Sequence, residues 1–75
     1  MRAYTMASEG AYPRPTFIRL KQVLARTGMS RSTVYSYISD GRFPAPVSIS
    51  TRCVAWIEEE VDRWISDRIA AHRNA

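Results

Sequence analysis

The run between Arg31 and Ser36 holds most of the side chains whose types and spacing suggest a chemistry. It contains one arginine and four hydroxyl-bearing residues, namely Ser32, Thr33, Tyr35 and Ser36. An arginine fork can bond a guanine edge or a phosphate, and hydroxyl groups can donate to phosphate oxygens. Contact with the major groove of DNA requires such groups on one side of a short helix. We therefore predict that these five residues bind double-stranded DNA.

The elements that must position this run have the pattern of a helix–turn–helix. A first helix over about residues 21–27 is predicted from three apolar residues at helical spacing: Leu20, Val23 and Leu24. Gly28 suits the left-handed position that follows a helix, and Ser30 is a favoured N-cap. A second helix is therefore predicted over about residues 31–39. Its core-facing side is predicted from two residues four positions apart, Val34 and Ile38.

Downstream residues predict a hairpin and a last helix. Val47 and Ile49 alternate with Ser48, and Val54 and Trp56 alternate with Ala55, which predicts two strands with a tip near residues 50–51. A last helix over about residues 58–71 is predicted from an apolar stripe: Ile57, Val61, Trp64, Ile65 and Ile69. The predicted fold is mostly α with a small β-hairpin (α+β), a winged helix–turn–helix in which the hairpin is the wing.

Length and composition place one domain in this chain of 75 residues. Residues 1–16 mix small residues and prolines without a period, so we expect a flexible N-terminal arm. The domain is expected over 17–71, beginning with a short strand at 17–20, and residues 72–75 are expected to be a tail.

Charge is distributed unevenly along the chain. Residues 14–52 carry seven Lys and Arg against one Asp, a net charge of +6, whereas residues 53–75 carry three Arg against five Asp and Glu, a net charge of −2. Clustered cations release counterions on binding a polyanion, which favours DNA as the partner. Arg42 and Arg52 join the predicted DNA-binding residues. Phosphate contacts are expected from six cations: Arg19, Lys21, Arg26, Arg31, Arg42 and Arg52.

Several other classes of function are disfavoured by the composition. Cys53 is the single cysteine, which fits a reducing cytoplasm and a half-buried strand position, and His72 is the single histidine. We therefore expect no metal site, no cofactor and no nucleophile–base pair of an enzyme. We expect no secretory signal and no membrane span, because no apolar run approaches about 18 residues.

Four segments taken together resemble the AlpA family of small prophage regulators. They are residues 27–35, residues 41–47, residues 52–56 and residues 60–65, and the resemblance covers about residues 17–70. That family is related to phage excisionases, and its DNA-binding domain is similar to that of the MerR regulators. The chain departs from the family at Ser36, Ala45 and Ser48, where members often carry a basic residue, and near Ser50, where a glycine is common. The resemblance therefore implies a wing with fewer phosphate contacts.

The resemblance implies sequence-specific DNA binding in a bacterium or phage. Family members activate integrase-type genes, act as recombination directionality factors (excisionases), or do both. The DNA-binding roles implied by the family fall on Arg31, Ser32, Thr33 and Tyr35 in the second helix and on Arg52 in the wing.

Two alternatives remain open at this point. The chain could be a protein-interaction adaptor that docks an integrase or RNA polymerase through an acidic face of the last helix, formed by Glu58, Glu59, Asp62 and Ser66. It could also be a MerR-like effector sensor, but no dimerisation helix or cysteine pair supports one, so we expect no small-molecule effector. We expect a monomer in solution that can bind cooperatively to repeated sites.

Overall fold

The computed structural model describes residues 15–73. In chain order the elements are β1 (Phe17–Ile18), α1 (Leu20–Thr27), α2 (Arg31–Ser39), β2 (Val47–Ser50), β3 (Cys53–Ile57) and α3 (Glu58–Arg73). The strands form an antiparallel sheet in the order β1-β3-β2. The predicted α+β class and winged helix–turn–helix are confirmed. The predicted arm lies almost wholly outside the described residues.

The turn between α1 and α2 is fixed from both sides. Gly28 has a φ of 73°, and its N–H donates to the carbonyl of Leu24 at 2.8 Å, which closes α1. The left-handed conformation favours glycine because other residues place a Cβ against the backbone there. The hydroxyl of Ser30 accepts from the N–H of Thr33 at 3.2 Å and caps α2. Both predicted caps are therefore confirmed.

The hairpin of β2 and β3 is confirmed as the wing, and β1 extends it into three strands. Ile18 pairs with Trp56 on one edge of β3, and Val47 pairs with Ala55 on the other. The register shifts between Ser48 and Ser50, so β2 contains an irregularity of the bulge type. A two-residue turn at 51–52 connects the strands, within one residue of the predicted tip.

A small core lies where α1, α2, α3 and the sheet meet. Six buried residues form one cluster: Ile18, Val23, Val34, Phe43, Trp56 and Val61. The indole N–H of Trp56 donates to the carbonyl of Pro44 at 3.0 Å, so the single polar atom of this side chain is satisfied. Trp56 is fully buried, and its packing holds the base of the wing to the helices.

The start of α3 depends on a residue distant in sequence. The helix follows β3 without a loop, and the N–H of Glu58 donates to the carbonyl of Thr16 at 2.7 Å. Thr16 was assigned to the arm in the prediction, yet its backbone is part of the fold. The helix also continues to Arg73, so residues 72 and 73 of the predicted tail are helical. Among the described residues, no helix combines the length and apolar character that crossing a membrane requires.

Two apolar patterns in the sequence are only partly matched by burial in the structure. Ile69 ends the predicted apolar stripe of the last helix, but it is 48% exposed because α3 extends past the core. In β3 the alternation of Val54 and Trp56 with Ala55 does not define one inward face, since Val54 is exposed while Ala55 and Trp56 are both fully buried. All of β2 is exposed as well. The wing projects beyond the small core, so the period-2 pattern there has no second layer to cover it.

Candidate nucleic-acid interface

The exposed side of α2 carries four of the predicted DNA-binding residues. Arg31, Ser32, Tyr35 and Ser36 are exposed, whereas Val34 on the same helix has no exposed surface. At about 100° per residue, these four side chains span less than half of the helix circumference. We call this set the α2 stripe. It presents one cation and three hydroxyl groups on a helix whose other side is anchored in the core.

Thr33 is engaged in the cap of α2 and is half-buried. The hydroxyl of Ser30 donates to the Thr33 hydroxyl at 2.9 Å while accepting from the Thr33 N–H. The Thr33 hydroxyl accepts in this pair and keeps its own proton for donation. Thr33 therefore takes part in the cap of α2, and its hydroxyl proton can still be donated to a phosphate as predicted.

Tyr35 links the α2 stripe to the sheet. Its ring meets that of Trp56 edge-on, with centroids 6.3 Å apart and planes at 65°. The guanidinium carbon of Arg31 lies 5.9 Å from the centroid of the same Tyr35 ring. Both contacts are typical of aromatic and cation–π geometry. The Trp56–Tyr35–Arg31 series therefore connects the buried base of the wing to the exposed cation at the start of α2.

Arg52 lies in the turn at the tip of the wing and is exposed. Among the described residues, its side chain takes part in no ion pair. The base of the same hairpin contacts α2 through the rings of Trp56 and Tyr35. Neither Ala45 nor Ser48 adds a charge, so Arg52 is the cation of the wing tip.

Arg42 is set apart from the α2 stripe. Its guanidinium carbon lies 5.5 Å from the centroid of Tyr37. Tyr37 follows Tyr35 by two positions and therefore lies about 200° away around the helix. The sequence places Arg42 among the DNA-binding residues, but the fold brings it to the other side of α2.

Arg26 is not a free cation. Its guanidinium bonds both Glu58 and Asp62, the latter at 2.7 Å, and so joins α1 to the first turn of α3. The hydrogen bond to Glu58, followed by that to Asp62, raises the pKa of Arg26 above its ordinary value. Sequence reasoning counted Arg26 among the phosphate contacts. Glu58 and Asp62 accept one hydrogen bond from each terminal nitrogen and oppose the charge of Arg26, which disfavours that contact.

The same pairing removes most of the predicted acidic docking face. Glu58 and Asp62 face Arg26, and Glu59 lies 3.5 Å from Arg63 one turn along α3. Glu58, Glu59 and Glu60 lie in the first turn of α3, where carboxylates interact favourably with the helix dipole. In the part of the chain that the structure describes, no three His, Cys, Asp or Glu side chains converge as metal ligands would.

Sequence reasoning missed Arg68. Its guanidinium carbon lies 5.8 Å from the Tyr37 centroid and 5.1 Å from that of Trp64. The spacing of Trp64 and Arg68, four positions apart on a helix, was a readable signal for this contact. The contact of Arg68 with Tyr37 could not be predicted from local spacing, because the two residues are 31 positions apart in sequence.

Comparison with known proteins identifies relatives of this fold and surface. The family model described as prophage CP4-57 regulatory protein (AlpA) matches residues 16–69. The uncharacterized protein ORF88 of Enterobacteria phage P4 is 42% identical over 57 residues, which cover 76% of this chain and 65% of that protein. The DNA-binding transcriptional activator AlpA of Escherichia coli is 37% identical over 57 residues, covering 68% of this chain and 81% of that protein. The family match begins at Thr16, whose carbonyl accepts from the first N–H of α3, and spans the winged helix–turn–helix up to residue 69 of α3. This chain belongs to the AlpA family of prophage regulatory proteins.

Proposed function

We propose that this chain is a sequence-specific double-stranded DNA-binding protein that regulates phage or prophage genes. The observation that carries the proposal is the α2 stripe, in which three hydroxyl groups and an arginine that forms no ion pair with residues 15–73 face outward from a helix anchored by Val34. Such a surface meets the chemical requirements of base-edge and phosphate contacts. The relative in Escherichia coli, a DNA-binding transcriptional activator, supports the same function.

In the proposed complex, the N-terminal half of α2 enters the major groove. Arg31 bonds a guanine edge or a phosphate, Ser32 and Thr33 donate to phosphates, and Tyr35 and Ser36 lie along the groove. Arg52 reaches a backbone phosphate or the adjacent minor groove from the wing tip. Arg42 contributes less than its sequence position suggests, since its guanidinium lies over Tyr37.

The proposed biological role is activation of an integrase-type gene, excision of a prophage, or both. Activation is supported by the activator relative. An excisionase role would add an integrase as protein partner, and activation would add RNA polymerase. The protein would act in the bacterial cytoplasm as a monomer that binds cooperatively at repeated sites, with no small-molecule effector and no catalytic step of its own.

A pure adaptor that does not bind DNA is the weaker candidate. Its predicted docking face on α3 consists of carboxylates that the protein already pairs with Arg26 and Arg63. A partner that docked there would first have to break these ion pairs, which would lower its affinity. The experiment below separates the two functions, because an adaptor has no salt-dependent affinity for a duplex.

The test is the affinity for a labelled duplex of random sequence, measured by fluorescence anisotropy at several salt concentrations. Of the six cations predicted to contact DNA phosphates, four exposed ones remain once Arg26 and Arg42 are set aside: Arg19, Lys21, Arg31 and Arg52. Logarithmic affinity should therefore fall with logarithmic salt at a slope of about −3 to −4. The six cations named from sequence would give a steeper slope, of about −5. A slope near zero would refute DNA binding.

Sequence specificity needs a second measurement. Selection of tight-binding duplexes from a random pool should recover a common site, against which the random duplex serves as the reference. Specific sites are typically about 10³-fold or more tighter than non-specific DNA. Recovery of no common site, together with a normal salt slope, would leave a non-specific DNA binder and refute the regulatory role.

A further inference from the structure

Two arginines converge on the ring of Tyr37. The guanidinium carbon of Arg42 lies 5.5 Å from the ring centroid and that of Arg68 lies 5.8 Å from it, while Arg68 is also 5.1 Å from the centroid of Trp64. We call these four residues the arginine–aromatic cluster. It joins the end of α2 and the loop after it to the middle of α3, which lies more than 20 residues further along the sequence.

The base of this cluster is held in place by the fold. The indole N–H of Trp64 donates to the carbonyl of Arg42 at 2.7 Å, and the ring of Trp64 meets Phe43 edge-on with centroids 4.9 Å apart. Tyr37 meets Trp64 edge-on as well. Since the backbone of Arg42 and the two rings are fixed, little ordering remains to be done when a ligand binds the arginines.

The charge of the cluster has no counter-ion within residues 15–73. Neither Arg42 nor Arg68 forms an ion pair or donates a side-chain hydrogen bond to another described residue. The nearest carboxylates along the chain, Asp40 and Asp67, are exposed and pair with neither. Stacking on a ring uses the face of a guanidinium and leaves its N–H edge free, which is the edge that takes a carboxylate with two parallel bonds.

An exposed apolar side chain lies beside the cluster. Ile69 is 48% exposed and lines a shallow depression on α3 together with Arg68, His72 and Arg73. An apolar residue next to several basic ones offers both an apolar contact and a favourable field for an acidic ligand. The exposed Ile69 could therefore contact an apolar side chain of a ligand while the neighbouring basic residues attract its acidic groups.

The cluster lies on the side of α2 away from the α2 stripe, because Tyr37 is about 200° from Tyr35 around the helix. A duplex in contact with the stripe would leave this side open to solvent. We propose that the arginine–aromatic cluster and Ile69 bind a short acidic segment, carrying an apolar side chain, of a protein partner. The assignment rests on the proposed function, since the stripe must be the DNA side for the cluster to face away from it.

The test is a titration of the isotope-labelled protein, free and saturated with a random-sequence duplex, with a short peptide of acidic residues and leucine. The side-chain Nε–H signals of Arg42 and Arg68 should shift in both forms. Arg68→Gln should weaken peptide binding about tenfold, because a charge-assisted hydrogen bond is lost. Ile69→Ser should weaken it by a few-fold, and Arg68→Lys should give an intermediate loss. Thermal melts establish that each variant is folded.

Arg63→Gln is the matched control, since it removes the same charge from the same helix at an exposed site. It should leave peptide binding unchanged, and equal weakening by Arg63→Gln and Arg68→Gln would refute a defined site. Absence of shifts in the free protein would refute it too. If duplex displaces the peptide and Arg68→Gln lowers the salt slope of duplex binding, the cluster is a phosphate contact and the proposal is wrong. Failure to bind duplex would refute the proposed function instead, whatever the peptide does.

Discussion

Two substitutions three positions apart on α2 should separate folding from DNA binding. Val34 has no exposed surface and belongs to the core cluster, whereas Arg31 is exposed at the start of the helix. If α2 is oriented as described, Val34→Ala acts on stability and Arg31→Ala acts on affinity. The two variants therefore test which side of α2 faces the core and which side is available to DNA.

The expected cost of Val34→Ala follows from its complete burial. The substitution removes two carbon atoms, which is about 1.6 kcal/mol of transfer free energy at ~0.8 kcal/mol each. Incomplete collapse of the resulting cavity raises the loss to about 2–3 kcal/mol. A domain of this size loses about 4–8 °C of melting temperature per kcal/mol, so the midpoint should fall by roughly 10–20 °C.

Arg31→Ala removes much less from the folded state. The described contact of its guanidinium is with the exposed ring of Tyr35 at 5.9 Å, and an exposed cation–π contact contributes about 0.5–1 kcal/mol. The melting temperature should therefore fall by a few degrees. Affinity for the selected site should fall by about 1–3 kcal/mol if Arg31 bonds a base edge or phosphate.

Circular dichroism melts and anisotropy titrations on the same preparations measure both effects. Binding must be compared at a temperature at which the Val34→Ala variant is still folded. There, Val34→Ala should bind the selected duplex with nearly wild-type affinity. An Arg31→Ala protein that melts as early as Val34→Ala, yet binds DNA normally, would show that the stripe and the core side of α2 have been exchanged.

Three further outcomes are expected. Ser30→Ala should lower stability by about 1 kcal/mol, measured by urea denaturation, because the Thr33 amide loses its cap, and an unchanged midpoint would contradict that cap. Arg52→Ala should weaken binding to selected and random duplexes by a similar factor and reduce the salt slope by about one unit, whereas unchanged affinity on both would exclude the wing from the interface. Arg26→Gln should lower the melting temperature but leave the salt slope of DNA binding unchanged, and a reduction by a full unit would contradict its assignment to the ion pair with α3.

Local signals were sufficient for the helix–turn–helix. The positions of Gly28 and Ser30 depend on hydrogen bonds that span three or four residues, so the sequence contains both partners of each bond within one window. The bounds of α2 and the N-cap of that helix were accordingly predicted to the residue. The stripe followed from them, because the helix period and one buried position, Val34, fix which residues face outward.

Long-range contacts were not accessible in the same way. Arg26 finds its carboxylates 32 and 36 residues away, so nothing in its own segment distinguishes it from a phosphate-binding arginine. The inward prediction for Ile69 failed for a related reason. Periodicity reports the side of a helix but not where the core ends, and a domain this small covers only part of a 16-residue helix.

These long-range contacts alter the meaning of the uneven charge distribution. The basic and acidic halves of the sequence are in contact in the fold, because Arg26 of the basic half pairs with Glu58 and Asp62 of the acidic half. Within residues 15–73, three arginines that form no ion pair lie on two different sides of α2. Arg31 lies on the α2 stripe, and Arg42 lies with Arg68 over Tyr37 on the other side. A regulator that must bind DNA and a second macromolecule together needs this division, since one face cannot hold both partners. The salt slope of duplex binding measures the contribution of Arg31 and the other cations on the DNA side. Peptide binding to the protein–duplex complex measures the contribution of Arg42 and Arg68.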